Sequence, residues 1–243
     1  MKKYIYTTGL AIIVSTTIVS AQGWKSLTKK AEAIKTGNSV TSGLSEEEIG
    51  AGLKEALTQG VSKGVAQLSQ ADGYFKDPEI KIPMPDEAEK VEDKLRALGQ
   101  GEKVDEAILS MNRAAEDAAS EAKDLFVEAI KAMTITDATN ILKGNDDAAT
   151  HYLKKSTSNQ LTEKFQPIIK VSLDKVGATK HWETVFSTYN KLPFVDDVNP
   201  NLEEYVTEKA ITGLFIQVAK EELLVRKDPA ARATDLLKKV FGN

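Results

Sequence analysis

The stretch EEEIGAGLKEALTQGVSKGVAQL, residues 46–68, has a clear helical pattern of apolar residues. Its large apolar side chains recur every three or four residues, which is the spacing of one buried helical face. Ser45 and Glu48 have the spacing of a capping box, which predicts that the helix begins directly after Ser45. The apolar stripe consists of Ile49, Leu53, Leu57, Val61, Val65 and Leu68.

The same stretch contains four glycines, and each costs about 0.5–1 kcal/mol relative to alanine in a helix interior. Three of them form, with one alanine, a row at intervals of four residues beside the apolar stripe. A row of such small side chains has two interpretations: a second helix packs closely against it, or an apolar ligand lies against it. Close packing is favoured, because natural cores rarely keep voids. The row consists of Gly52, Ala56, Gly60 and Gly64.

A second surface of small residues is predicted on one long helix, from about residue 105 to 133. Most side chains on one side of its first half are alanines, among them Ala115 and Ala119. We expect this helix to pack against the glycine row, so that the two helices enclose a small-residue groove.

The rest of the sequence consists of helical patterns separated by caps and turn residues. Residues 71–87 interrupt these patterns with Gly73 and three prolines, and the alternation of Ile80, Ile82 and Met84 allows at most one short extended segment near 79–84. Pro167 predicts a kink or break in the helix at 159–176. We therefore expect an all-α fold with a single globular domain of about eight or nine packed helices. The further helices are predicted at 86–98, 134–144, 145–155, 159–176, 179–192, 202–227 and 230–241.

The N-terminus has the pattern of a secretory signal peptide. Lys2 and Lys3 precede an apolar run of about 16 residues, which is shorter than the roughly 20 residues of a membrane-spanning helix. We expect cleavage after Ala21 and a periplasmic or secreted protein without a transmembrane span. The predicted organisation is a signal peptide at 1–21, an amphipathic leader and linker at 22–43, and an all-helical domain at 44–243. Residues 22–37 are basic and amphipathic, which fits a membrane-surface segment less well than an ordinary leading helix or tether.

Charge and cysteine content exclude several classes of function. Removal of residues 1–21 leaves 30 basic and 36 acidic side chains, so nucleic acid is not an expected partner. The chain has no cysteine, which excludes disulfides and thiolate nucleophiles. No combination of residues predicts a catalytic site, a metal site or a cofactor. Asp147 and His151 have a spacing that permits a shared metal ion, but Asp146 and Asp147 are better explained as charges at a helix N-terminus, with Asn145 as its cap.

Paired carboxylates occur at Glu221 and Glu222 and at 196–197. A charged, solvated helix face explains them more simply than acid-base catalysis does. Glu222 and Arg226 have the spacing of an ordinary ion pair on one helix.

One polar group departs from the apolar pattern. Asn112 lies on the apolar side of its predicted helix, with Arg113 and Glu116 beside it at helical spacing. If this helix is central, Asn112 needs a hydrogen-bond partner, and Arg113 needs a carboxylate such as that of Glu116. A buried network that fixes the packing of the helices is the favoured interpretation, and a polar end to an apolar ligand pocket is the alternative.

Six segments resemble, in order, those of the bacterial domain of unknown function family 4197. The resemblance covers about residues 44–242. It implies an exported helical domain and no catalytic residue. The segments are LSEEEIGAGLKEAL, DGYFKDPEIKIPMP, MNRAAEDAA, MTITDATNILKGNDDAATHYLKKST, YVTEKAITGLF and DPAARATDLLKKVFG.

Three functions are compatible with these observations. The first is a non-enzymatic binding or structural module of the cell envelope, whose partner would be an envelope protein. The second is a carrier of a lipid or other apolar small molecule between the small-residue helices. The third is a hydrolase with two converging carboxylates, which would stand on the order of 5–10 Å apart. The first is favoured because no catalytic set is present, and the sequence does not predict an oligomeric state.

Overall fold

Eight α-helices form the part of the chain that the computed structural model describes, residues 44–179, 182, 201–232 and 234–241. These residues lie within one compact unit, Thr41–Asn243. No strand occurs among them, and the prediction of a single all-α domain is confirmed. The helices are α1 (Glu46–Leu68), α2 (Glu89–Ala97), α3 (Gly101–Ala119), α4 (Ala122–Ala132), α5 (Ile135–Lys143), α6 (Ala148–Lys175), α7 (Leu202–Lys227) and α8 (Asp235–Phe241), with 3₁₀ turns at Asp86–Ala88 and Pro229–Ala231.

Some predicted features lie outside the described residues. They are the signal peptide at 1–21, the leader and linker at 22–43, the carboxylate pair at 196–197 and most of the predicted helix at 179–192.

Side-chain caps fix the beginnings of three helices. At α1 the Ser45 hydroxyl accepts a hydrogen bond from the Glu48 backbone N–H at 3.1 Å, and the Ser45 N–H donates to the Glu48 carboxylate at 2.8 Å. This is the predicted capping box. Thr134 and Asp137 form a second box at α5, and the Asn201 side chain accepts from the backbone N–H of residue 204 at α7. Each cap satisfies N–H groups that have no partner within the helix.

The prediction of one long helix from 105 to 133 is wrong, because the chain turns between α3 and α4. The Glu121 N–H bonds the Ala118 carbonyl at 3.1 Å, which is a 3₁₀ contact in place of the α-helical one. No glycine or proline marks this break. The turn keeps the alanines of α3 and the larger Phe126 and Ile130 of α4 buried together, so tertiary packing overrides the local helix preference.

Helix α6 is continuous over 28 residues, so the separate helices predicted at 145–155 and 159–176 are one helix, and it does not break at Pro167. Pro167 lies on the exposed side of the helix, as does Glu163, whose carbonyl loses its N–H partner. The opposite side is a buried row with a period of four residues, which holds the helix in place. That row consists of Ala149, Leu153, Thr157, Leu161, Phe165, Ile169 and Leu173.

Helix α7 packs against α1, α3 and α6. Phe215 of α7 meets Phe126 of α4 edge to face, with ring centroids 5.8 Å apart. None of the helices among the described residues has both the length and the apolar character needed to cross a membrane.

The connection from α1 to α2, residues 69–85, crosses α3 and α7 without forming a strand. Tyr74, Ile80 and Ile82 are buried, so this loop is part of the core. Gly73 lies so close to the end of α1 that a Cβ atom there would be 2.5 Å from the carbonyl oxygens of Gln67 and Leu68. Only glycine permits this approach.

Candidate functional site

The three polar residues predicted on α3 lie together and bind the loop at 69–85, and we call Asn112, Arg113 and Glu116 the loop anchor. Glu116 is buried. One oxygen of its carboxylate accepts hydrogen bonds from the backbone N–H groups of Tyr74 at 3.0 Å and Phe75 at 3.1 Å. These two N–H groups have no partner in a helix or sheet. The Glu116 carboxylate therefore serves as the acceptor that a backbone carbonyl would otherwise be.

Arg113 connects the loop anchor to the surface. Its guanidinium donates to the second oxygen of Glu116 at 2.6 Å and to the Asp72 carboxylate at 2.7 Å. Hydrogen bonds from Lys76 and then Arg113 lower the pKa of Asp72. The buried Glu116 therefore has a cationic partner, which offsets much of the cost of burying its charge.

Asn112 is fully buried and pairs with the backbone of Ile82 in both directions. Its side-chain oxygen accepts from the Ile82 N–H at 2.9 Å, and its amide nitrogen donates to the Ile82 carbonyl at 2.8 Å and to the Ile108 carbonyl at 2.7 Å. The side chain thus takes the place of a neighbouring strand for residue 82, which lies in the segment where extended structure was predicted.

Tyr74 extends this loop contact to α7, and no sequence pattern marks it as a functional residue. Its hydroxyl donates to the Ala210 carbonyl at 2.8 Å, and burial, followed by the nearby Glu116 charge, raises its pKa. Gly213 makes room for the ring, because a Cβ there would lie 2.8 Å from Tyr74 Cε1 and 3.2 Å from Ile80 Cβ. The space that the Tyr74 ring needs therefore explains the glycine in the segment YVTEKAITGLF.

The glycine row of α1 faces α7 and α8, not the alanines of α3. A Cβ at Gly60 or Gly64 would first meet side-chain carbons of Gln217 and Glu221, at 3.3–3.5 Å. A Cβ at Gly52 would lie 2.8 Å from a methyl carbon of Val240 in α8. Ala56, Ala115 and Ala119 are buried, but neither alanine of α3 is among the nearest neighbours of these glycines, so the expected pairing of the two small-residue surfaces is not found.

The crevice beside the glycine row is nearly filled. Its volume is about 10 Å³, and it lies between α1, α7 and α8, with Leu57, Gly60, Val218 and Phe241 among its lining residues. A cavity of this size holds at most about one water molecule. A lipid does not fit there.

Glu222 and Arg226 of α7 form a second buried polar pair, which we call the helix clamp. The Glu222 carboxylate accepts from the backbone N–H groups of Ala149 at 3.0 Å and Thr150 at 2.8 Å, and from the Thr150 hydroxyl at 2.8 Å. Arg226 donates to the same carboxylate at 2.8 Å.

Arg226 also reaches the C-terminal end of α5, where its guanidinium donates to the Ile141 carbonyl at 2.9 Å. The helix clamp therefore puts a carboxylate at the N-terminus of α6 and a guanidinium at the C-terminus of α5. Both charges match the partial charges of those helix ends. The pair holds three helices together.

Two predictions about these residues are wrong. Glu221 and Glu222 do not belong to a solvated face, since each is only 5% exposed. The expected cap of α6 by Asn145 is also not found. The cap position is Asp147, its side chain makes no capping bond, and Glu222 supplies the acceptor from another helix.

Glu221 has a different environment from its neighbour. Its carboxylate bonds the Lys63 ammonium of α1 at 3.0 Å and accepts from the Gln217 amide at 3.4 Å. The smooth glycine row leaves room for these two long polar side chains of α7, which lie across α1.

The described residues contain no cluster of three or more histidine, aspartate or glutamate side chains that could hold a metal ion. Asp147 and His151 do meet, with 3.1 Å between Oδ2 and Nε2, but only as an exposed pair on the first turn of α6.

A shallow, solvent-open depression lies between the turn 144–147 and α7. Ala219 and Leu223 line it from α7, and Asp146 and Asp147 line it from the turn. Leu223 and its neighbour Leu224 are 43% and 40% exposed. Gly144 shapes the turn, because a Cβ there would lie 2.7 Å from the Cβ of Ala148.

Comparison with known proteins gives one family. A family model described as "Protein of unknown function (DUF4197)" matches residues 43–242. No curated protein and no solved structure matches the chain.

Proposed function

The chain belongs to the DUF4197 family of proteins of unknown function, and we propose that it is an exported, non-enzymatic module that acts at the cell envelope through protein contacts. Export rests on the N-terminal pattern, in which two lysines precede an apolar run that ends in the small residues Val19 and Ala21.

The hydrogen bonds of the buried carboxylates are the main support for a non-enzymatic function. Glu116 and Glu222 each accept bonds from two backbone N–H groups and from an arginine. A carboxylate with these bonds holds the ends of loops and helices in place. It is a poor general acid or base, because a change in its protonation would break the contacts that hold the fold.

The filled crevice beside the glycine row speaks against the carrier function. Small-residue helices host a ligand only where space remains between them, and the space here is about 10 Å³. The small residues instead admit Gln217 and Glu221 of the neighbouring helix. The surface of the domain, rather than its interior, is therefore where we place its function.

Export is tested by separating the periplasmic and cytoplasmic fractions and measuring the intact mass of the protein. We expect the mass of a chain that begins at Gln22, in the periplasmic or secreted fraction. The control is Ile13→Arg, which places a charge in the apolar run and should leave an uncleaved chain in the cytoplasmic fraction. A full-length wild-type chain in the cytoplasm would contradict export.

The binding function is tested by chemical cross-linking in intact cells, followed by mass spectrometry of the purified adducts. We expect one specific envelope protein to be enriched over a control strain that lacks the chain. The absence of any specific adduct with cross-linkers of several lengths would overturn the proposal.

A further inference from the structure

We propose that α8 is a hinged cover. It detaches from α1 as one unit while the other described helices stay folded, and its opening uncovers the groove between α1 and α7. This inference concerns a movement of the chain itself and does not depend on the binding function proposed above.

The contact that holds α8 in place is small and apolar. The helix packs against α1, where Leu236 and Val240 are the side chains nearest to Gly52. Val240 is buried, whereas the charged residues of α8 are exposed. A helix of seven residues is not stable in water by itself. It therefore keeps its structure only while it lies on α1, and its detachment and its unfolding are one event.

No polar contact ties α8 to another helix in the described part of the chain. The hydrogen bonds and ion pairs of residues 235–241 stay within the segment 234–241, such as the bond of 3.2 Å between Lys238 Nζ and the Asp235 carboxylate. The loop anchor and the helix clamp, by contrast, each contain a buried carboxylate with several donors. Detachment of α8 therefore breaks no buried ion pair and leaves no buried charge without a partner.

Arg232 marks where the movement begins. Its side chain is buried, and its guanidinium donates to the carbonyls of Val225 at 3.1 Å and Arg226 at 2.8 Å, in the last turn of α7. These bonds hold the 3₁₀ turn Pro229–Ala231 against α7 and supply donors for the helix end. Because they lie before α8 in the chain, α8 can move without the loss of any of them.

The opening of α8 uncovers a groove between α1 and α7. Phe241 of α8 lines the crevice of about 10 Å³ together with Leu57 of α1 and Val218 of α7. The two walls stay joined without α8, because the Lys63 ammonium of α1 bonds the Glu221 carboxylate of α7 at 3.0 Å. Removal of the Phe241 ring therefore converts a closed crevice into an open, largely apolar groove.

The test is amide hydrogen exchange of the purified protein, followed residue by residue by NMR and corrected for intrinsic exchange rates. The N–H groups of residues 238–241 have their acceptors in the preceding turn of α8. We expect these four groups to share one protection factor, at least about a hundredfold lower than that of the buried residues 210–218 of α7. Protection that declines steadily towards residue 241 would indicate fraying of the helix end and would overturn the proposal.

Two alanine substitutions in the glycine row form a matched pair. A Cβ at Gly52 would lie 2.8 Å from Val240 Cγ2 and 3.1 Å from Leu236 Cγ, and a helical valine has one strongly preferred rotamer, so α8 itself must shift. We expect Gly52→Ala to lower the protection of α8 about tenfold. At Gly60 the nearest atom would be Glu221 Cβ, at 3.5 Å. Gly60→Ala should raise the protection of α7 about threefold and leave that of α8 unchanged. Equal changes of α8 and α7 in both variants would show that α8 opens only with the whole domain.

A third variant, Val240→Asp, places a charge in the buried contact and should hold the cover open. The amides of α8 should then exchange as in an unstructured peptide. The protection of α7 should fall by no more than the protection factor of α8 in the wild type, because detachment of α8 is the entire cost. A larger fall, or loss of the folded domain, would show that the other helices need α8 and would overturn the proposal.

Discussion

Asp72 combines an unusual backbone conformation with a paired charge. Its φ is 72°, in the left-handed region that asparagine tolerates well and alanine does not. Hydrogen bonds from Lys76 and Arg113 hold its pKa below the ordinary value of 3.8. A carboxylate with a lowered pKa in the folded state stabilises the fold above its unfolded pKa, and this contribution is lost as the pH falls through the folded pKa.

We therefore expect Asp72→Asn to lower the free energy of unfolding at neutral pH, and the difference from wild type to shrink below about pH 4. Urea unfolding at a series of pH values measures this difference. Asp72→Ala should be less stable than Asp72→Asn at every pH, because it adds backbone strain. Equal stability of the two variants would show that the left-handed conformation has no energetic role.

Gly60 and Gly213 are both helical glycines, but their surroundings differ. A Cβ at Gly60 would have its nearest neighbour at 3.5 Å, an ordinary contact, whereas a Cβ at Gly213 would lie 2.8 Å from the Tyr74 ring. We expect Gly60→Ala to raise the free energy of unfolding by about 0.5–1 kcal/mol. Gly213→Ala should lower it by about 1–3 kcal/mol, because the hydrogen-bonded ring cannot move aside. Chemical denaturation measures both, and a change of the same sign in the two variants would contradict this account.

The junction of α5, α6 and α7 depends on Glu222. Glu222→Gln keeps one acceptor oxygen, but it places an amide where a carboxylate now meets Arg226 and the first turn of α6. We expect the free energy of unfolding to fall by about 3 kcal/mol, because a largely buried guanidinium loses its counter-charge.

The double substitution Glu222→Gln with Arg226→Met separates the ion pair from the capping role. Removal of both charges should recover part of the loss, since no unpaired guanidinium remains. The recovery should be incomplete, because the α6 N–H groups still lack one acceptor. Full recovery in urea unfolding would show that Glu222 does not cap α6.

The beginnings and ends of helices were predictable where the signal is local. Ser45 with Glu48 and the glycine at 144 act within a few residues of the chain, and α1 and α5 begin and end where they indicate. The break between α3 and α4 carries no such signal, since it depends on which faces the rest of the core buries. Pro167 is also a local signal, but the helix does not end there.

In the candidate site too, local features were predictable from the sequence and long-range contacts were not. Asn112 on an apolar helix face indicated a buried polar group, and Arg113 and Glu116 were predictable neighbours at helical spacing. Their partners, Tyr74 and Ile82, lie 30 or more residues away in the chain, and no periodicity connects them. The burial of Glu222 was not predictable for the same reason, because the α6 N–H groups that it satisfies are more than 70 residues away.

At the scale of the molecule, α7 takes part in both polar junctions. Near its beginning the Ala210 carbonyl receives the Tyr74 hydroxyl of the anchored loop, and near its end the helix clamp joins α5 and α6. Glu222 is the twelfth residue after Ala210 in the helix, which corresponds to a distance of about 18 Å. The two junctions share no side chain, and the packed core of one domain lies between them.

Because the two junctions are far apart, we expect independent contributions from them to the free energy of unfolding. Substitutions more than about 10 Å apart without common partners are usually additive within about 0.5 kcal/mol. We expect Glu116→Gln and Glu222→Gln each to destabilise the protein, and the double variant to lose the sum of the two single losses in one cooperative urea transition, because one core connects the junctions. Circular dichroism and tryptophan fluorescence should report the same midpoint. Two separate transitions would mean that the domain does not unfold as one unit. A loss that differs from the sum by more than about 1 kcal/mol would mean that the two junctions are not independent.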